Sequence, residues 1–255
     1  MTLLNYQAIY VIWLRQFKRF IRDKGRLISN FIQPFLFLAI LGFGLGSVKF
    51  SGLPSGVNYI DVLAPGIIAW SILFPSVFIG LSVLWDRQFG FLQEVLVAPV
   101  SRLSIVIGTT LGGATIALIQ GFIVLFVSSL LGVSFNFSLL LILVPIFMIL
   151  TSFVAIGIGL IIASKMQSIE GFQFIVSLLI FPLLFLSSPF SPLDSLPSWL
   201  RTVAFIDPIT YGVDGLRATL IGFSYFPIYI SLAVLIVLSI LMMGLGSYFF
   251  SKSEV

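Results

Sequence analysis

The sequence predicts an all-helical integral membrane protein with six transmembrane helices. Of its 255 residues, 59% are apolar and only 9% are charged, whereas soluble domains carry about 25% charged residues. The mean hydropathy of +1.20 and the 27 phenylalanines exclude a disordered chain, because disordered segments are poor in apolar and aromatic residues. So few charged side chains cannot cover a soluble body of this size, and the surface must therefore face lipid.

Charge-free runs locate the spans, because an ionised group at the bilayer centre costs roughly 3 kcal/mol. A spanning helix needs about 20 residues, so the longest run, of 62 residues, predicts two helices with a turn at Gly132–Ser138, its only polar interruption. The other four runs predict one helix each. The five runs are Leu27–Val48, Val62–Trp85, Leu103–Ser164, Gly171–Leu193 and Ala218–Ser251.

The distribution of basic residues predicts that both termini are cytoplasmic. An even number of spans places both ends on one side of the membrane, and ten of the 13 Lys and Arg residues fall on that side. Short cytoplasmic segments carry such an excess of Lys and Arg. The net charge of +4 therefore reflects topology, and we expect no nucleic-acid partner.

Residues before the first span predict an amphipathic helix. Its apolar residues recur at spacings of three and four, and basic residues fall largely between them. Such a helix either anchors the chain among lipid headgroups or holds a cytoplasmic partner. The apolar residues are Tyr6, Ile9, Trp13, Phe17, Phe20 and Ile21, and the basic residues are Arg15, Lys18, Arg19 and Arg22.

A short cytoplasmic helix is predicted between spans two and three, within Trp85–Arg102. Its apolar residues line one side, and Pro99 ends it. This pattern fits a helix that transmits force from a soluble partner, and it equally fits a simple connector. The apolar residues are Phe91, Leu92, Val95 and Leu96, and the charged ones are Arg87, Glu94 and Arg102.

An external segment between spans five and six, Ser191–Arg217, is too apolar for a solvated loop and too rich in proline to span the membrane. We expect short helices that dip into the outer leaflet. Asp194 and Asp207 stand where each is expected to cap such a helix.

These elements resemble a known family. Ser191–Arg217, with its Leu-Pro-Ser-Trp-Leu, Asp-Pro-Ile-Thr-Tyr and Gly-Leu-Arg stretches, is similar to the C-terminal region of type-2 ABC transporter permeases, which include drug, nodulation-factor and polysaccharide exporters. Gly90–Arg102, with Gly-x3-Glu-x-Leu-x-Ala-Pro-Val-Ser-Arg, resembles the loop between spans two and three of the same family. The resemblance covers the chain in order and implies one permease domain over residues 1–255.

The resemblance also implies partners and roles. It implies a separate cytoplasmic P-loop ATPase in two copies, which binds ATP and Mg, and a second permease copy, in a prokaryotic plasma membrane. The substrate would be an amphipathic or lipid-linked drug, lipid or glycan moved outward by alternating access. The coupling helix would hold Arg87, Phe91, Leu92, Glu94 and Arg102; the interfacial helix Trp13, Arg15, Phe17, Lys18, Arg19 and Arg22; and the external re-entrant region Pro197, Trp199, Pro208, Tyr211 and Arg217.

Catalysis within this chain is not expected. It contains no Cys or His, which removes thiolate chemistry and the commonest proton shuttle and metal ligand, and it has no Gly-x4-Gly-Lys phosphate loop. The alternative function is an ion-coupled secondary transporter or a channel, for which Asp61 and Glu170 are the candidate acids at the span edges. For an exporter, we expect a pathway lined by Phe, Ser, Thr, Asn and Gln.

Overall fold

The computed structural model describes residues 5–46, 57–88 and 101–252, and helices are the regular elements in these ranges. Short 3-10 turns at Leu139–Leu143 and Leu193–Ser195 separate some of them. The helices are α1 (Tyr6–Arg22), α2 (Lys24–Gly44), α3 (Tyr59–Val77), α4 (Ile79–Gln88), α5 (Arg102–Leu130), α6 (Val144–Lys165), α7 (Ile169–Leu186), α8 (Ser198–Ala204), α9 (Pro208–Ile221) and α10 (Ile228–Lys252).

Six of the segments in this part of the chain are long and apolar enough to span a membrane, as the sequence predicts. α3 and α4 form one span with a break at Phe78, and the predicted turn of Gly132–Ser138 does separate α5 from α6. Gly132 adopts a φ of 86°, which costs little without a Cβ.

The bounds of the last two spans differ from the sequence prediction. The fifth span ends at Leu186, not Leu193, and the sixth begins at Ile228, not Ala218. Residues 218–221 belong to α9, which ends at Gly222 with a φ of 69°. The charge-free run Ala218–Ser251 joined the end of this buried helix to the next span. Burial in protein and burial in lipid select the same apolar residue types, so the run could not separate the two.

The core lies where α3 packs against α5 and α6, while α6 also packs along the length of α10. α4 crosses α6 at Gly80, where a Cβ would overlap the carbonyl of Gly159, and a Cβ on Gly159 would overlap the carbonyl of Val77 at the end of α3. Small residues permit such close helix packing in membranes. α2 and α7 lie at the periphery and leave most of their apolar surface exposed.

Candidate functional site: the N-terminal helix and the external segment

Helix α1 packs along the first half of α5. A Cβ on Gly108 would lie 2.9 Å from the Cβ of Ile12, and a Cβ on Gly112 would lie 2.7 Å from the Cβ of Gln16. These glycines form a small-residue pair at a spacing of four, which places both on one helix face. They therefore form the surface on which α1 rests.

Polar contacts hold α1 in this position. The Trp13 indole N–H donates to the Thr115 hydroxyl at 3.0 Å, and the Gln16 amide donates to the Ser82 hydroxyl of α4 at 3.1 Å. At the end of α4, Arg15 forms a two-bond ion pair with Asp86, one bond of which is 2.8 Å long. Bidentate pairing fixes both the distance and the orientation of the two groups.

The basic face of α1 remains open. Lys18, Arg19 and Arg22 are exposed, and the Arg19 guanidinium stacks over the Trp85 ring with its central carbon 4.7 Å from the ring centroid. On the apolar side of α1, Phe20 is buried by protein. Phe17 stacks on Trp13 with 5.7 Å between the ring centroids.

The predicted coupling helix lies outside the described residues, and so do Phe91, Leu92 and Glu94. Arg87 and Arg102 belong to the ends of α4 and α5, and their side chains also fall outside the described part. The two ends that flank this segment are both bonded to α1. Asp86 pairs with Arg15, and the Ser104 hydroxyl accepts from the backbone N–H of Asn5 at 3.0 Å.

At the other end of the bundle, α8 is a short surface helix. Pro197 precedes its first residue, and Trp199 is 69% exposed. The prediction that Asp194 caps this helix is wrong. Its carboxylate lies 3.9 Å from the Arg201 guanidinium, because the Pro192–Leu196 turn places Asp194 before the helix and not at its first turn.

Asp207 caps α9, as predicted, by accepting from the backbone N–H of Ile209 at 2.9 Å. Pro208 occupies the first helical position, where a missing N–H costs nothing. The Tyr211 hydroxyl donates to the carbonyl of Phe205 at 2.8 Å. Burial raises the pKa of Asp207 to about 7, because desolvation exceeds the effect of its hydrogen bonds.

Arg217 lies inside the bundle and is only 2% exposed. Its guanidinium donates to the carbonyls of Ser188 (2.7 Å), Ser191 (3.1 Å) and Pro189 (3.3 Å), and its Nε donates to that of Val62 (3.4 Å). Burial lowers the pKa of Arg217 to about 10, and the nearby Asp214 carboxylate opposes this shift. Arg217 thus ties α9 to the turn after α7 and to α3.

Two buried carboxylates that the sequence analysis did not connect hold the neighbouring loops. Asp214 accepts from the backbone N–H groups of Tyr225 (2.7 Å) and Phe226 (3.0 Å), which fixes the turn before α10. Asp61 accepts from the N–H of Asn58 at 2.9 Å and of Ser134 at 2.7 Å. A charged residue in an otherwise apolar stretch is the sequence signal for such a buried carboxylate. The signal does not identify the hydrogen-bond partner, which for Asp61 lies up to 73 residues away.

The described part of the chain contains no group of three or more Asp and Glu residues able to hold a metal ion. A bundle of six apolar helices long enough to span a membrane, with an N-terminal helix braced against it, defines a multi-pass membrane protein.

The chain belongs to the ABC-2 type transporter family, whose model matches residues 7–221. It is 32% identical to ycf38 of Cyanophora paradoxa, whose name describes a transport permease, over 83% of this chain and 73% of that protein. It is 29% identical to nodulation protein J of Rhizobium leguminosarum bv. viciae, over 86% and 83% of the two chains. Identity to the doxorubicin resistance ABC transporter permease protein DrrC of Mycobacterium tuberculosis (strain ATCC 25618 / H37Rv) is 25%, over 82% and 75%. This protein is therefore a membrane permease subunit of an ABC transporter.

Proposed function

We propose that this chain is the permease of an ATP-driven exporter, powered by a separate cytoplasmic ATPase that docks on the end of the bundle carrying α1. The observation that carries the docking site is the bracing of α1 against α4 and α5 by the Arg15–Asp86 and Gln16–Ser82 contacts. These contacts hold the exposed cations of α1 beside the end of α4 and the start of α5, which flank residues 89–100. One rigid patch would then contain both predicted contact elements.

In this proposal, Glu94, Phe91 and Leu92 contact the ATPase, and Lys18 and Arg22 contact it or the adjacent anionic headgroups. When the two ATPases close on ATP and Mg, they would push residues 89–100 of the two permease copies together. This movement would switch the pair of permeases from inward-open to outward-open. The exposed apolar faces of α2 and α7 provide surface for lipid and for a second permease copy.

An amphipathic or lipid-linked substrate suits this bundle. The middle of the spans is uncharged, so an ion would find no compensation for its lost hydration there. The relatives whose names refer to nodulation and to doxorubicin resistance support export. The alternative of ion coupling has no supporting observation, since both Asp61 oxygens accept backbone hydrogen bonds and Glu170 is exposed at the start of α7.

The decisive experiment is reconstitution of the permease with the ATPase that co-purifies with it. Glu94→Ala should retain insertion and ATPase binding but remove substrate-stimulated ATP hydrolysis, whereas Asp194→Ala, a change to an acid of the external segment, should leave hydrolysis unchanged. Unaltered stimulation in Glu94→Ala would contradict the assigned coupling role. Purification of the permease without any ATPase would contradict the whole proposal.

Orientation needs a separate test. A cysteine introduced at Trp199, which is 69% exposed, should react in intact cells with a membrane-impermeant maleimide, and one at Lys18 should react only after the membrane is opened. The chain has no native cysteine, so no background labelling from the permease is expected. The reverse pattern would invert the topology and remove the cytoplasmic docking site.

A further inference from the structure

Amide side chains are rare in the spans, yet most of them meet at one place. The six spans contain four amides, namely Asn30, Gln33, Gln120 and Gln173. The first three line one small cavity among α2, α3 and α5. Asn and Gln are costly in a membrane unless they find partners, so their convergence from two separate helices needs an explanation.

The cavity lies within the spans, with Asn30 three residues after Leu27, the first residue of the first span. Gln120 precedes the end of α5 by ten residues and Trp70 follows the start of α3 by eleven, which places both about 15–17 Å from the helix ends at 1.5 Å per residue. Trp70, Phe74 and Pro75 form its apolar wall. Phe37 meets the edge of Trp70 with 4.3 Å between the ring centroids and holds the indole in place.

Two polar atoms in the cavity wall lack a partner among the described residues. Gln120 is only 2% exposed, and while its amide N–H donates to the carbonyl of Asn30, its Oε1 accepts no hydrogen bond. The Nδ2 of Asn30 is buried and donates none. Both residues line the inner cavity, and each unsatisfied buried group lowers stability unless a partner arrives.

A larger cavity continues from this space to the end of the bundle that carries α1. It measures about 450 Å³, in the size range of small-molecule sites, while the inner one measures about 40 Å³. The two share Asn30, Gln33, Phe74 and Pro75. The mouth is polar and charged, with Gln16, Arg19, Asp23 and Ser82 in its wall.

We propose that Asn30 and Gln120 bind the uncharged, hydroxyl- or amide-bearing end of an amphipathic transport substrate within each permease subunit. This inference rests on the proposed transport function and names the chemistry that the site takes. A hydroxyl or an amide can donate to Gln120 and accept from Asn30 at once. Among the described residues, no charged side chain lines the inner cavity, so an ionised end group is disfavoured.

The aromatic wall explains the rest of the selectivity. An apolar or ring-shaped body attached to that end can pack on Phe74, which lines both cavities, with favourable stacked or edge contacts. The inner space of about 40 Å³ takes a single hydroxyl or amide group beside Trp70, and the rest of the substrate occupies the larger cavity. A glycan linked to a lipid and a free drug-like amide both satisfy this chemistry.

Binding can be measured by quenching of Trp70 fluorescence, in the absence of ATP, with the full chain in lipid nanodiscs. The probe is dodecyl maltoside carrying bromine on its alkyl chain, and the Trp70→Phe variant gives the signal to subtract. We expect saturable quenching that is about tenfold weaker in affinity for Gln120→Leu and for Asn30→Leu, since each removes one hydrogen bond. Brominated dodecylphosphocholine, which has the same chain and a charged head, should give no saturable signal.

Stability separates binding from a structural role. Asn30→Leu keeps the side-chain volume, removes an unsatisfied donor and retains the backbone carbonyl that accepts from Gln120, so its melting temperature should equal or exceed that of the wild type. Gln120→Leu also removes the donor to that carbonyl, which Pro34 leaves without a helical N–H, so its melting temperature should fall. Ser128→Ala is the matched control on the same helix, where a buried hydroxyl already donates to the carbonyl of Val124 at 2.8 Å. It should leave the quenching unchanged.

The site is wrong if quenching of the wild type rises linearly with the probe, or if Gln120→Leu and Asn30→Leu bind the maltoside as tightly as the wild type. Linear quenching would show that the probe reaches Trp70 only as a component of the surrounding lipid. Because this result is measured on the wild type, it is valid even if a variant fails to fold. Butyl maltoside, which has the same head and a short chain, distinguishes the source: competition would indicate a water-borne substrate, and its failure a membrane-borne one. Both results support the site.

Addition of the ATPase and ATP tests the export function separately from the Asn30–Gln120 binding site. Saturable binding that depends on Gln120 but does not lead to ATP-driven transport of the probe would retain the site and contradict export. ATP-driven transport that is equal in Gln120→Leu and in the wild type would retain export and overturn the site.

Discussion

The Arg217 guanidinium donates a 2.7 Å hydrogen bond to the backbone carbonyl of Ser188. Ser188 stands at the turn that ends the fifth span and adopts a left-handed φ of 56°, which strains a residue with a Cβ. Pro189, the next residue, presses on Gly66 of α3, where a Cβ would overlap its carbonyl. One buried cation therefore stabilises an unfavourable turn whose Pro189 packs on a glycine 123 positions earlier in the chain.

The first prediction concerns this cation. Arg217→Leu should lower the free energy of unfolding by about 3 kcal/mol or more, because it leaves several buried carbonyls without a donor, each worth about 1–3 kcal/mol. Arg217→Lys should recover part of the loss, since an ammonium keeps the charge but not the planar geometry. Equilibrium denaturation in mixed micelles measures the difference.

Arg201→Leu is the control for this series. Its side chain is 30% exposed and lies 3.9 Å from the Asp194 carboxylate. It donates to only two backbone carbonyls, those of Asp194 (2.7 Å) and Leu196 (3.2 Å), and water can replace it at this surface position, so the expected loss is about 1 kcal/mol. Equal losses for Arg201 and Arg217 would show that the burial of Arg217 adds nothing to stability.

The second prediction concerns the seat of α1. Gly112→Val should force α1 away from α5, because its Cβ would lie 2.7 Å from the Cβ of Gln16. Overpacking of this kind costs about 1–3 kcal/mol, and the Gln16–Ser82 hydrogen bond should break. We expect a lower melting temperature and less ATPase retained on the permease during affinity purification.

Gly44→Val is the matched change, since Gly44 is also in a helix but a Cβ there would meet no neighbouring atom of the described residues within 4 Å. It should retain the ATPase at the wild-type level. Full retention of the ATPase by Gly112→Val would separate α1 from docking.

The third prediction concerns pH. The pKa of Asp207 is raised from its ordinary 3.8 to about 7 in the folded chain, so between these values the folded protein keeps a proton that the unfolded chain releases. Stability should therefore be highest near pH 4 and fall, by about 1.4 kcal/mol per pH unit at most, as the pH rises to about 7.

Asp207→Asn should flatten this part of the profile, because an amide cannot titrate yet its oxygen can still accept from Ile209. Denaturation of both proteins from pH 4.5 to 7.5 measures the slope. Parallel profiles for the two proteins would show that Asp207 releases its proton as readily when folded as when unfolded.

The sequence by itself determined the class of the protein and the number of spans. Hydropathy and charge are summed over neighbouring residues, and insertion into lipid responds to that local sum. The turn at Gly132–Ser138 and the cap at Asp207 were also predictable, since both are set by a few adjacent residues. The same local signal failed at Ala218, where a helix buried in protein resembles one buried in lipid.

Only the tertiary structure decided which residues meet. Gly108 and Gly112 stand four positions apart in the sequence, but only the structure shows that α1 packs on them. Arg217 and Val62, 155 positions apart, and Asn30 and Gln120, 90 apart, are brought together by the crossing of helices. A hydrogen bond or a close glycine contact depends on distances of a few ångströms between remote segments, and no local sum over the sequence contains that information.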